Sequence, residues 1–175
     1  MKNYFTALMV VFFYSGFFIY SGKPDPRKSA VLEKLHWTIE RSDMAKVRKE
    51  FQEICNSNRF PSLVSGLKDG IYKGATPDDD YGYRHEIVFE MKNGKMISVD
   101  YDEIHQDGHA KQPDQEYGKR MMKSGTSPAI AYVSYENQML ETQDFNKVDA
   151  VTGGSYSLYR FRLAILYAIW NSGQL

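Results

Sequence analysis

Apolar side chains recur at three- and four-residue intervals between residues 29 and 56, a spacing typical of amphipathic helices. A break near Ser42 predicts two helices, with Asp43 capping the second one at Met44. Their apolar positions are Val31, Leu32, Leu35, Ile39, Met44, Val47, Phe51 and Ile54. The pattern indicates one buried face, so we expect these helices to form either a stalk or a lid packed on the domain.

Alternating apolar and polar residues over 86–91 predict a half-buried strand. The dipeptide Asn93-Gly94 follows, and it is a strong hairpin signal that joins this strand to a second one over 96–101. Glycines punctuate extended segments from Gly66 to Gly94. The chain from 102 to 113 is polar and is expected to be a loop.

Helical signals return in the last third of the chain. Asp114 is expected to open a helix that Gly125 ends. Ser127 and Pro128 provide a cap and a first helical residue for the next helix, which should run past Leu140. After a glycine turn, a final helix is indicated by apolar residues at helical spacing, namely Leu158, Phe161, Ile165 and Ile169. The predicted fold is α+β, a curved antiparallel sheet from about 68 to 101 packed with helices, preceded by an N-terminal membrane anchor and helical stalk.

The first twenty-two residues are predicted to be a membrane segment, because no charged residue occurs from Tyr4 to Tyr20. Seventeen helical residues cover about 26 Å, slightly less than the roughly 30 Å hydrocarbon core. A cleaved signal peptide is the alternative, although the segment around Ser21 is a poor cleavage site. A lipoprotein is disfavoured, since an acylated cysteine should follow this run and Cys55 lies far beyond it. The predicted organisation is an anchor or signal over 1–22, a linker and amphipathic helices over 23–66, and one domain over 67–175.

Composition narrows the functional classes. Lys plus Arg and Asp plus Glu are both 22, so no net field would attract nucleic acid. The single cysteine, Cys55, excludes an intramolecular disulfide and a two-cysteine metal or redox pair. We expect it to be a buried small hydrophobe rather than a reactive thiol.

Other chemical candidates are weaker. Acidic and histidine residues cluster at 78–80 and 100–109, but neither a calcium-loop nor a zinc spacing is present. Structural roles are expected for His36 and His85. A hydrolase would need Ser155, a histidine and Asp149 to converge, and the strand–turn–helix elbow motif of such enzymes is missing.

The turn Asp149-Ala-Val-Thr-Gly-Gly-Ser155 carries the most specific chemistry, because two glycines and a run of hydroxyls directly precede the last helix. The first backbone N–H groups of a helix lack intrahelical partners and lie at the positive end of its dipole. A phosphate can bind there without an arginine. An ordinary N-cap formed by Ser or Thr is the alternative.

These residues resemble the FMN-binding domain family, the covalent flavoprotein domain of the sodium-pumping NADH:quinone reductase C subunit type, as in small membrane-anchored and surface lipoproteins. Its signature, Asp-x-x-(Ser/Thr)-Gly-Ala-(Ser/Thr), is matched by Asp149, Thr152, Gly153 and Ser155, while Gly154 stands where the family usually has alanine. The resemblance covers roughly residues 67 to 171. It includes the segments at 69–74, 81–83, 93–95, 99–103 and 125–128.

The resemblance implies a function and partners. FMN would be phosphoester-linked to Ser155, with Thr152, Gly153 and Gly154 around the phosphate and Asp149 either shaping the turn or recognised by the attaching enzyme. The protein would be an electron carrier on the outer side of the cytoplasmic membrane, anchored in membrane lipid by its N-terminal segment, or secreted after signal cleavage. Its partners would be a flavin transferase that uses FAD and a membrane redox protein.

Two alternatives are also compatible with the sequence. A non-enzymatic interaction module would keep the fold without covalent flavin, with Gly154 and Ser155 unsuited to the transferase. An exported protein with noncovalently bound FMN is the other.

Overall fold

Three strands form an antiparallel meander whose order in the sheet is also their order in the chain. The computed structural model describes residues 24–175. Strand β1 is Gly70–Ala75, β2 is Tyr83–Lys92 and β3 is Lys95–His105. The predicted hairpin at Asn93-Gly94 is confirmed, with both residues at positive φ and Lys92 paired with Lys95.

Within residues 24–175, five helices accompany the sheet. Helices α1 (Pro26–Arg41) and α2 (Met44–Ser57) precede it, and α3 (Gln115–Met121), α4 (Pro128–Thr142) and α5 (Ser155–Asn171) follow it. Short 3-10 turns occupy Met122–Ser124 and Phe145–Lys147. The predicted α+β class, with an antiparallel sheet packed with helices, is confirmed.

Several local predictions are also confirmed. The Asp43 carboxylate accepts from the backbone N–H of Lys46, 2.9 Å away, and thereby caps α2. Asp114 caps α3 in the same way through the N–H of Tyr117. Gly125, at φ +98°, ends the following 3-10 turn.

Two predictions were wrong in detail. The polar segment expected to be a loop from residue 102 is a strand up to His105, because Asp102 and Glu103 pair with Glu86 and His85 of β2. Ser127 stands at the N-cap of α4, but its side chain makes no capping hydrogen bond.

Helix α5 is the centre of the core. Its middle section is buried on all sides, with Leu163, Ala164, Ile165, Leu166, Ala168 and Ile169 fully inaccessible. It lies so close to β1 that a Cβ on Gly74 would be 2.4 Å from the backbone nitrogen of Ala168. Only glycine allows this approach.

Helices α1 and α2 pack on the same core. Leu32, Leu35 and Ile39 of α1 are buried, as are Val47 and Phe51 of α2. The indole N–H of Trp170, near the end of α5, donates to the backbone carbonyl of Asp25 at the start of α1, with 2.8 Å between nitrogen and oxygen. The two ends of the described chain are therefore tied together.

The predicted membrane segment over residues 1–22 lies outside the described residues. Within 24–175, no helix is both long enough and apolar enough to cross a bilayer.

Candidate functional site

Ser155 is the first residue of α5, as predicted from the sequence. Gly154 occupies the N-cap position, and its N–H donates to the carbonyl of Val151 across 2.8 Å. No side chain caps the helix, so the alternative of a Ser or Thr cap is not what is observed. The hydroxyls of Thr152 and Ser155 make no hydrogen bond within residues 24–175.

The first turn of α5 leaves three backbone donors open. Leu158 is the first residue whose N–H is bonded, to the carbonyl of Gly154 at 3.1 Å. In the described part of the chain nothing accepts from the N–H groups of Ser155, Tyr156 or Ser157. Because these donors lie at the positive end of a seventeen-residue helix, they form an anion-binding geometry. Ser155 itself is half-buried, so its hydroxyl is not sealed in the core.

The two glycines of the turn are required for different reasons. Gly153 has φ +80°, and a Cβ there would lie 2.2 Å from the carbonyl oxygen of Ser124. At Gly154 a Cβ would lie 2.4 Å from the Tyr135 hydroxyl, which donates to the Gly154 carbonyl across 2.7 Å. The buried Tyr135 therefore explains why glycine stands where the resembling family usually has alanine.

Asp149 lies on the surface at the start of the turn. Its N–H donates to Oε1 of Gln138, 2.7 Å away, and its carbonyl accepts from the same side chain at 3.3 Å. Within the described chain its carboxylate accepts no hydrogen bond. The backbone, rather than the side chain, holds Asp149 in place.

A cleft of about 160 Å³ adjoins the turn. Gly153, Tyr156 and Ser157 line one side of it, and Thr126 and Ser127 at the start of α4 line another. Two helix N-termini thus border the cleft, with Arg160 and Glu103 also in its lining. This arrangement favours an anionic ligand group near Ser155.

Behind the cleft, Arg160 bridges two buried carboxylates. Its Nε and Nη2 donate to Glu40 of α1 at 2.8 and 2.5 Å, and its Nη1 lies 3.8 Å from Glu103 of β3. Glu103, only 2% exposed, also accepts from Lys111 and from the Tyr132 hydroxyl. The cluster joins α1, β3, α4 and α5.

The charges of this cluster set its protonation. Burial alone would raise the pKa of Glu103, but His85, Arg160 and Lys111 lower it to about 2. Burial opposes ionisation of Glu40 as well, and the His85 ring 3.7 Å away together with hydrogen bonds from Arg160 bring its pKa to about 2. Both carboxylates are therefore ionised at neutral pH.

Sequence analysis missed this cluster. The sequence predicts a loop at Glu103 and only a structural role for His85. The available signal was Arg160, one of two charged residues in a largely apolar helix.

The acidic and histidine cluster at 100–109 does not converge on a metal site. His105 pairs with Asp107, and His109 pairs with Asp114, both at 2.9 Å. Across residues 24–175, no group of three or more His, Cys, Asp or Glu side chains is arranged to hold a metal ion.

Cys55 is partly buried at the α2 surface. Burial raises the pKa of its thiol to about 12, so the nucleophilic thiolate is scarce at neutral pH.

This chain is similar to proteins of known sequence and structure. The 15 kDa lipoprotein of Treponema pallidum is 32% identical over 100 residues, which are 56% of this chain and 71% of the relative. A crystal structure of a Clostridium perfringens protein is 30% identical, with a TM-score of 0.54, and the match covers 58% of this chain and 86% of that one. No protein-family model matches the sequence. On the extent of the first similarity, this chain belongs to the family of the Treponema 15 kDa lipoprotein.

Proposed function

We propose that this protein is an extracytoplasmic electron-transfer flavoprotein of the FMN-binding domain type, with FMN phosphoester-linked to Ser155. The observation that carries the proposal is the first turn of α5, where three backbone N–H groups have no partner within residues 24–175 and the half-buried Ser155 places a hydroxyl at the same end of the helix. A phosphate esterified to that hydroxyl would accept from these donors at the positive end of the helix dipole.

The turn fits a phosphate group in a second respect. Gly153 brings the backbone against Ser124 in a conformation that only glycine adopts easily, and no side-chain cap competes for the open donors. Thr152, Gly153 and Gly154 would surround the phosphate, and the cleft beside Tyr156 and Ser157 would receive adjoining parts of the ligand.

FMN, when bound, would supply one- or two-electron redox chemistry, while the protein would bind and orient it. Attachment would form one bond between Oγ of Ser155 and the FMN phosphorus of FAD. The pyrophosphate bond of FAD would break, AMP would leave and the hydroxyl proton would pass to solvent. A flavin transferase is therefore the maturation partner, with the exposed Asp149 as an element that it recognises.

The cellular location that we propose for this protein rests on its similarity to the Treponema protein. Similarity to a protein named a lipoprotein supports a membrane-associated, extracytoplasmic location. There the flavin would carry electrons between a membrane donor and an extracytoplasmic acceptor. The apolar segment over residues 4–20 would serve as the anchor.

Intact mass after co-expression with a flavin transferase tests the proposal. The wild-type protein should gain the mass of one FMN less one water, and Ser155→Ala should gain nothing. Ser155→Thr, which supplies the family's commoner hydroxyl, should still be modified. Ser98→Ala is the control, because it removes an exposed hydroxyl from β3 that does not line this cleft, and it should leave the addition unchanged.

The outcomes separate the alternatives. If a transferase that modifies another substrate leaves the wild-type protein unmodified, the interaction module without covalent flavin is favoured. Yellow colour that is lost on denaturation would instead indicate noncovalent FMN.

A further inference from the structure

A second cleft, of about 330 Å³, lies between α2 and α5. This volume falls at the lower end of the usual range for small-molecule sites. We call it the α2/α5 cleft. It is lined by Arg48, Phe51, Gln52, Cys55, Asn56, Asn146, Tyr159 and Arg162.

The lining of the α2/α5 cleft is positively charged and contains no carboxylate, while the surface carboxylate of Asp149 lies near Arg162 without forming an ion pair with it. Arg48 and Arg162 both line it, and none of the other lining residues is acidic. Within residues 24–175, neither arginine forms an ion pair with an Asp or Glu. This contrasts with Arg160, which bridges two carboxylates.

Arg162 retains an unused donor. Its Nη2 donates to the carbonyl of Val148 at 2.9 Å, but its Nε is buried without a hydrogen-bond partner. Burial lowers the pKa of this guanidinium, since the nearby groups do not fully compensate for its desolvation. An unpaired buried donor on a cation is costly, and a bound anion would relieve that cost.

The remaining lining suits an organic ligand. Phe51 and Tyr159 pack edge to face with ring centroids 5.2 Å apart, and they give the cleft an aromatic side. Gln52, Asn56 and Asn146 add amide groups that can donate to oxygen atoms. Cys55 stays a neutral thiol at physiological pH, so it does not neutralise the arginines.

We propose that the α2/α5 cleft binds a small organic oxyanion, whose phosphate or carboxylate head pairs with Arg48 and Arg162 while its apolar body lies against Phe51 and Tyr159. Guanidinium groups match the planar geometry of these heads and bind them through paired hydrogen bonds. The site does not depend on flavin at Ser155, because α2 supplies five of its eight lining residues and precedes the segment that resembles flavin-binding domains.

Titration of the full-length protein, expressed without a flavin transferase, tests the proposal. The probe is phenyl phosphate, compared with inorganic phosphate as the head alone and benzyl alcohol as the body alone. Backbone amide and arginine Nε–H NMR signals report binding. We expect phenyl phosphate to bind with a Kd on the order of 1 mM or tighter, inorganic phosphate to bind more weakly, and benzyl alcohol to bind least.

Arg48→Gln is the decisive variant, because Arg48 is exposed and makes no hydrogen bond within residues 24–175 that its loss would break. It should weaken phenyl phosphate about tenfold, the usual loss for one charge-assisted hydrogen bond. Lys49→Gln is the matched control, since it removes the same charge from an exposed position on the same helix outside the cleft, and it should leave the Kd unchanged. Arg162→Lys keeps the charge but removes the planar guanidinium, and it should also weaken binding.

Two results would overturn the proposal. One is an absence of signal changes in α2 and α5 at millimolar phenyl phosphate. The other is equal weakening by Arg48→Gln and Lys49→Gln, which would indicate a nonspecific charge effect. Neither result bears on flavin attachment, which is measured by mass at Ser155.

Discussion

The polar groups in the first turn of α5 lack protein partners, whereas the arginine in the next turn is paired with carboxylates. In the first turn, the N–H groups of residues 155–157 have no partner within residues 24–175, and Tyr156 and Ser157 line a cleft. One turn later, Arg160 is engaged by Glu40 and Glu103 in the interior. The difference separates a region suited to receive a ligand from one that holds the fold together.

Energetics support this division. A buried ion pair adds little to stability over a well-packed apolar substitute, but removal of one partner is costly because the other charge is left buried. Open donors at a helix start are solvated and cost little, so they remain available for binding. The two regions should therefore respond very differently to substitution.

The largest effect is expected for Arg160→Met. It leaves Glu40 and Glu103 buried with one cation fewer, and it should lower the free energy of unfolding by about 3 to 5 kcal/mol. Urea denaturation measures this. Arg41→Met is the control, since its partner Asp80 is exposed and the loss should be far smaller. Equal losses in the two variants would remove the distinction between the buried cluster and surface pairs.

Gly153→Ala should have the next largest effect. The positive φ and the 2.2 Å approach to Ser124 together should cost about 2 to 3 kcal/mol. Gly66→Ala is the matched control, because no atom lies within 4 Å of the added Cβ, and its stability should be close to wild type. An unaffected Gly153→Ala would show that the turn is not constrained as described.

Gly154→Ala should cost about 1 to 2 kcal/mol through overlap with the Tyr135 hydroxyl. Tyr135→Phe removes that hydroxyl and should cost about 1 kcal/mol by itself, since the Gly154 carbonyl loses its donor. The double variant should be less destabilised than the sum of the two single ones, as a double-mutant cycle would measure. Simple additivity would mean that Tyr135 does not explain the glycine.

The smallest effect concerns Glu136, whose Oε1 accepts from the N–H of Tyr101 at 2.8 Å. Burial, with added repulsion from Asp100 and Asp102, raises its pKa to about 7. Because the folded protein binds this proton more tightly than the unfolded chain does, the protonated carboxyl stabilises the fold at low pH. That contribution to the free energy of unfolding is lost as the pH rises from about 4.5 to 7. Glu136→Gln should therefore be more stable than wild type at pH 7.5 by about 1 kcal/mol, after allowance for solvent screening.

Thermal denaturation across this pH range checks the prediction. Glu141→Gln, at an exposed position on the same helix, should follow the wild-type curve. Glu40 and Glu103 should show the opposite pH dependence. Their pKa values are lowered in the folded protein, so their contribution to the free energy of unfolding is lost as the pH falls from about 4.5 to 2. A Glu136→Gln variant less stable than wild type at pH 7.5 would contradict the assignment.

Much of the fold could be predicted from patterns of residues that are close in sequence. The Asp43 and Asp114 caps, the Asn93-Gly94 hairpin and the start of α5 at Ser155 depend on residues close in sequence. Each of them is observed as predicted.

The failures share a different cause. In the sequence, Glu103 stands in a polar segment typical of a loop. Only the fold brings its partners Lys111, Tyr132 and Arg160 beside it. The requirement for glycine at 154 depends on Tyr135, nineteen residues away. No regular spacing in the sequence links Glu103 or Gly154 to these partners. The buried contacts of the site are therefore visible only in the structure.

The bond from the Trp170 indole to the Asp25 carbonyl makes this side chain a natural fluorescent reporter of the contact between α1 and the end of α5. Since the chain has only one other tryptophan, Trp37, a Trp37→Phe variant would isolate its emission. Release of the first helix from the last would then be read as a change of indole fluorescence, without any added label.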